Sequence, residues 1–150
     1  MNVPEYKFIV RKINDSGEDI LFRKSQDAAD AFRLIFIDKE SNVLPFTEHF
    51  IMLCLNQRNL MTGYYRISSG GISGTVVDPK VIFLYALNTI GTTSLILCHN
   101  HPSGNINPSE ADIVMTTKII NAGKLLEIKI LDHIILTNDK YLSFSDEGMI

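Results

Sequence analysis

The chain has 150 residues, 45% of them apolar and 21% charged, with a formal net charge of −3. That length and balance fit one soluble globular domain and exclude a disordered or fibrous chain. The longest strictly apolar run, Val81 to Leu87, is far too short to span a bilayer, and the slightly acidic composition lacks the basic excess usual in a duplex-binding domain.

Residues 5–12 alternate in the manner of a strand, Asn14-Asp15-Ser16-Gly17 is a turn signal, and Asp19 to Phe22 reads as the return strand. Ser25 then caps a helix whose Ala28, Phe32, Ile35 and Phe36 share one face. This hairpin and helix form an expected N-terminal unit, residues 1–40, with Asp38 to Asn42 as a polar boundary before a second unit, 41–150. Phe50 to Leu55 reads as a buried strand and Tyr64 to Ser68 as another, followed by a Gly-rich stretch, Ser69 to Thr75. Asp78 and Pro79 are an N-cap and a proline at the first helical position. The helix they open, to about Asn88, is apolar nearly all round and is expected to be well buried. Leu95 to Cys98 leads as a strand into His99. Pro102 to Pro108 is a loop, and Ser109 caps a helix from Glu110 to about Ala122 that Gly123 is placed to end. Ile128 to Thr137 and Tyr141 to Phe144 close the chain as strands about an Asn138-Asp139 turn. Strands alternating with helices predict a layered α/β domain.

Cys54 and Cys98 sit inside apolar runs and read as buried, reduced thiols. The N-terminus has no signal-peptide pattern, so a cytoplasmic location away from membranes is expected.

The chemistry concentrates at His99-Asn100-His101-Pro102, Ser109 and Asp112. On an extended chain residues i and i+2 point the same way, so His99 and His101 can converge on one ion while Asn100 points away. A loop turning back after Pro102 brings Asp112, in the first turn of a helix, towards them. Two imidazoles and one carboxylate are what a catalytic zinc site takes from a protein, whereas a structural site fills every position, usually with thiolates. No Cys-x-x-Cys pair exists here. The alternative is an ordinary helix start, since Ser109-x-x-Asp112 is close to a capping box. A capping residue can also be a ligand, so the two roles are compatible.

A hydrolytic metal site also needs a group that accepts a proton from water and passes it to the leaving group. Glu48 is the candidate. It precedes the strand expected beside the one ending at His99, and no other Glu or Asp lies between Glu40 and Asp78. Its alternative is a solvated strand-end carboxylate. The Ser109 hydroxyl could donate to an oxyanion or serve only as a cap. His49 would point the opposite way to Glu48 and is not expected to be a ligand. His133, in Leu131-Asp132-His133-Ile134-Ile135-Leu136, is either a satisfied core histidine, the favoured view, or a support for the site.

Glu48, then His99-x-His101-Pro102, Ser109 and Asp112 together resemble the JAMM motif of MPN-type zinc metalloproteases. The string His99-Asn100-His101-Pro102-Ser103-Gly104, the Pro108-Ser109 pair and the later Leu-Asp-His-Ile-Ile segment resemble the bacterial RadC proteins. The resemblance runs from about Phe46 to the C-terminus. It implies a three-layer α/β/α, cytidine-deaminase-like domain. It also implies one zinc ion held by His99, His101 and Asp112, with Glu48 as general acid/base and Ser109 near the oxyanion. Full-length RadC proteins carry an N-terminal helix-hairpin-helix region. The first 40 residues here lack that pattern, so the chain resembles the short RadC-like forms.

The resemblance implies hydrolysis of a peptide or isopeptide bond. An extended peptide could add to an edge strand near Tyr65 to Gly74. The alternatives are a DNA-repair or DNA-processing accessory role, suggested by the RadC label, and a non-catalytic scaffold. Against the first, no Lys or Arg occurs from Val81 to Thr117, and a single carboxylate ligand suits one metal rather than the bridged pair of many nucleases. Against the second, the ligand set is intact.

Overall fold

The computed structural model describes residues 19–37, 43–70 and 76–150. The expected strand at 5–12, its turn, the 38–42 boundary and most of the Gly-rich stretch lie outside the described residues. The elements in order are α1 (Ser25–Phe36), β1 (His49–Leu55), β2 (Met61–Ser69), α2 (Pro79–Asn88), β3 (Ser94–Asn100), α3 (Glu110–Leu125), β4 (Lys129–Leu136) and β5 (Tyr141–Ser143).

The strands form one mixed sheet in the order β2-β1-β3-β4-β5. Only β3 and β4 are parallel, and α3 connects them, as a parallel pair requires a crossover. Side chains alternate between the two faces. Ile51, Leu53 and Leu55 of β1, with Ile96 and Cys98 of β3, pack under Ala28, Phe32 and Phe36 of α1. Phe50, Met52 and Cys54, with Leu95 and Leu97, pack under Ile82 and Phe83 of α2 and Ile119 of α3. The result is the expected α/β/α sandwich, with α1 as one outer layer and α2 and α3 as the other. Every residue of β3 is buried, which is why its sequence reads as a continuous apolar run up to the histidines. Both cysteines are buried and free, and burial pushes the Cys54 thiol up to about 11. No described helix is long and apolar enough to cross a membrane.

Several local expectations change. The predicted return strand at Asp19 to Phe22 is reduced to a single bridge, Leu21 to Leu60. Ser25 is the first residue of α1 rather than its cap. The Asp27 carboxylate accepts the N–H groups of Arg23 and Lys24, and the Ser25 hydroxyl donates to Asp146. Helix α2 is not well buried. It covers the sheet with Ile82, Phe83 and Ala86 but leaves Leu84 at 59% and Leu87 at 62% exposure, because an outer-layer helix meets the sheet along one stripe only.

Gly123 does not end α3, which runs on to Leu125. Its role is close approach: a Cβ there would lie 2.4 Å from the Ile128 carbonyl oxygen, at the turn into β4. Helix propensity alone would favour Gly123→Ala by about 1 kcal/mol. The clash with main chain outweighs this, so the variant is expected to lose about 1–3 kcal/mol of stability, read from urea or guanidinium unfolding.

Candidate metal centre

The end of β3 and the start of α3 build the centre. His99 and His101 share the sheet face under α3, and α3 begins above them. His99 is buried at 2% exposure, and His101 and Asp112 are half-buried. The two Nε2 atoms are 2.8 Å apart. Asp112 Oδ1 lies 3.3 Å from His99 Nε2, and Oδ2 lies 3.7 Å from His101 Nε2. These three side chains form the one group of at least three His, Cys, Asp or Glu residues placed to hold a metal ion among the described residues.

The far nitrogens of both rings are committed, and their partners fix the proton positions. His101 Nδ1 lies 2.6 Å from the Asn105 carbonyl oxygen, which can only accept, so Nδ1 carries the hydrogen. On the other ring the constraint starts in α3. The Thr116 hydroxyl donates to the Asp112 carbonyl at 2.6 Å, so its oxygen accepts the Nδ1–H of His133, also at 2.6 Å. His133 Nε2 is then an acceptor and takes the Nδ1–H of His99 at 2.8 Å. Both Nε2 lone pairs therefore face each other beside a carboxylate. That arrangement calls for a cation between them, and the donor set of two neutral imidazoles and one carboxylate oxygen fits a divalent metal.

The electrostatics agree. The Asp112 carboxylate beside His101 raises its pKa against the cost of burial, and the nearby Glu48 carboxylate adds to the rise. Burial pushes the Asp112 carboxyl up. The adjacent His101 and His99 rings and the hydrogen bond from Ser109 outweigh it and hold the group far below the usual carboxylate range. Burial, aided by the neighbouring His99, keeps His133 well below its ordinary value and hence neutral.

Ser109 caps α3. Its hydroxyl donates to Asp112 Oδ2 at 2.7 Å and accepts the Asp112 N–H, while its own N–H donates to the same oxygen at 2.8 Å. This anchors Oδ2 and leaves Oδ1 aimed at His99. Glu48 is half-buried just before β1, and its carbonyl accepts the Gly70 N–H at 2.8 Å. His49 points away from the cluster, as expected, and bonds Thr47 and Ser69. His133 is both a core residue, between the rings of Phe50 and Phe144, and a partner of His99. The favoured view of it as core alone is incomplete. Thr116 escaped the sequence reading, although its place four residues after Asp112 puts it on the same side of α3. A cleft of about 300 Å³ opens beside His101, bounded by Pro45, Phe46, Pro102, Asn138 and Lys140.

A family model described as the RadC-like JAB domain matches residues 22–149. The chain belongs to the RadC-like JAB domain family. This RadC-like domain is 47% identical over 134 residues to a UPF0758 protein of Flavobacterium johnsoniae, covering 89% of the chain and 57% of that relative. A UPF0758 protein of Methanosarcina barkeri is 42% identical over 103 residues, 69% of the chain and 44% of the relative. One from Clostridium kluyveri is 33% identical over 134 residues, 89% and 56% respectively. The chain thus spans about half the length of these relatives. The match begins at Phe22, so it includes α1 with the sheet.

Two outcomes test the centre. Thr116→Val frees His133 Nδ1 from its partner and should weaken metal binding by about 10–100-fold, measured by competition with a chelating dye. Metal must also displace the proton that Asp112 favours on His101. Because that pKa is raised, affinity should be full above it and fall by about tenfold per pH unit below it, for a single displaced proton.

Proposed function

We propose that this domain is a zinc-dependent hydrolase that cleaves a peptide or isopeptide bond. The observation that carries this reading is the pair of opposed Nε2 lone pairs beside Asp112, with the Glu48 carboxylate close enough to raise the His101 pKa. Mixed imidazole and carboxylate donors favour zinc over magnesium or calcium, which prefer oxygen alone. Zinc held by His99, His101 and Asp112 would supply Lewis acidity that brings the pKa of water to about 7.

Glu48 is the base in this scheme. Its carboxylate takes the proton of the attacking water and delivers it to the nitrogen of the leaving amine. His133 keeps His99 in the tautomer with a free Nε2. Ser109 holds Oδ2 of Asp112, so that Oδ1 is the oxygen left to bind. Its hydroxyl could serve an oxyanion only by giving up that bond, so anchoring Asp112 is its first duty.

The substrate is proposed to be an extended peptide. Among the described residues strand β2 is an edge of the sheet beyond Met61, and His49 pairs with Ser69, so the C-terminal end of β2 lies next to Glu48. A peptide added along β2 would run towards the metal centre. A cleavable peptide methylated on alternate backbone nitrogens should then bind several-fold more weakly than its unmethylated parent, and equal binding would refute the edge-strand mode.

Glu48→Gln is the primary test. The variant should bind zinc as the wild type does, shown by elemental analysis, yet hydrolyse a cleavable substrate about 10²–10⁴-fold more slowly. Equal rates at equal zinc content would remove Glu48 from the chemistry.

A further inference from the structure

We propose that Asn100 is a positioning residue for Glu48, an inference that rests on Glu48 as the proton-transfer group. Asn100 stands between the two candidate histidine ligands but on the opposite side of β3, with no exposed surface. A buried primary amide must place two donors and an acceptor, and the partners it chooses reveal its work. Here Oδ1 accepts the His49 N–H at 2.8 Å. Nδ2 donates to the Pro45 carbonyl at 3.2 Å and to the Thr47 carbonyl at 3.0 Å.

These three main-chain partners bracket Glu48 from both directions. The stretch from Pro45 to Glu48 precedes β1 and lies outside its ladder. Asn100 supplies the hydrogen bonds that pairing would otherwise provide. The Glu48 carbonyl is itself held by the Gly70 N–H. The origin of the Glu48 side chain is therefore tied to the same strand residue whose two neighbours carry the imidazoles. One side chain thus sets the distance between proton acceptor and metal donors, a separation that catalysis needs fixed within a fraction of an ångström. Asparagine suits this position, because aspartate has the length without the donors and glutamine is a methylene too long for the same bonds.

The test uses the full chain loaded with cobalt(II), whose visible spectrum reports the surroundings of the metal without a substrate. Glu48→Gln should shift that spectrum. Asn100→Ala should take up cobalt(II) to the wild-type level, shift the spectrum in the same sense, and add nothing further when combined with Glu48→Gln. The His49 amide should exchange its hydrogen about tenfold faster in Asn100→Ala.

A wild-type spectrum in Asn100→Ala, beside a shifted one in Glu48→Gln, overturns the role of Asn100 and leaves that of Glu48 standing. A wild-type spectrum in Glu48→Gln overturns the role of Glu48, and this proposal with it. Full additivity of the two shifts marks a general distortion and also overturns the proposal. Should Asn100→Ala fail to fold, the isosteric Asn100→Asp removes the donors without opening a cavity, and the same comparisons apply. Exchange in the wild type needs no variant: a His49 amide as unprotected as exposed loop amides overturns the clamp directly.

Discussion

Two imidazole nitrogens with lone pairs facing each other across 2.8 Å form the constraint around which the rest of the molecule is arranged. Left without a cation, the pair repels, and the carboxylate beside it adds negative charge. A proton relieves this partly, and a metal ion relieves it fully. The fold therefore gathers donors whose mutual repulsion a cation would offset. It can do so because each imidazole is braced from behind, one by a loop carbonyl and one by a histidine–threonine chain that ends on the first turn of α3.

The brace explains why the sheet is ordered as it is. Strand β3 presents its side chains to one face at its end, and β4 runs parallel beside it with His133 in register with Leu97, one same-face position before His99, from where its ring reaches His99 Nδ1. A parallel neighbour requires a crossover, and the crossover helix is the element that brings Asp112 and Thr116. Topology, ligand and brace are thus one solution. Burial on both faces of β3 excludes water from the far nitrogen of His99, so its hydrogen bond is made within the protein.

What could be read from the sequence follows from how local each feature is. His99 and His101 are two apart on a strand, and Ser109 and Asp112 are three apart at a helix start, so spacing alone places each pair. The apolar run Phe50 to Leu55 announces a strand but not which face meets which helix. The apolar character of α2 suggested full burial, yet exposure depends on what lies across from Leu84 and Leu87, and no local pattern carries that. Gly123 looked like a stop signal because glycine often ends helices. Its real constraint is the Ile128 carbonyl, fixed by the turn into β4. His133 and Asn100 were visible as residues but not as partners, since their bonds reach 34 residues back and 51 residues back respectively.

Helix α1 stands apart from the motif in sequence but not in space. Its Arg33 guanidinium donates to the carbonyls of Thr137, Asn138 and Lys140, and the Asn138 side chain in turn accepts the Leu44 N–H. The β4–β5 turn that bounds the cleft beside His101 is thus held from a helix that begins some seventy residues before His99. The segment that carries the candidate metal centre is consequently not a portable cassette. In any rearrangement of such chains by fusion or recombination, a breakpoint between α1 and β1 would separate His99, His101 and Asp112 from the layer that holds the rim of the cleft beside them. What has to stay together is the whole sandwich.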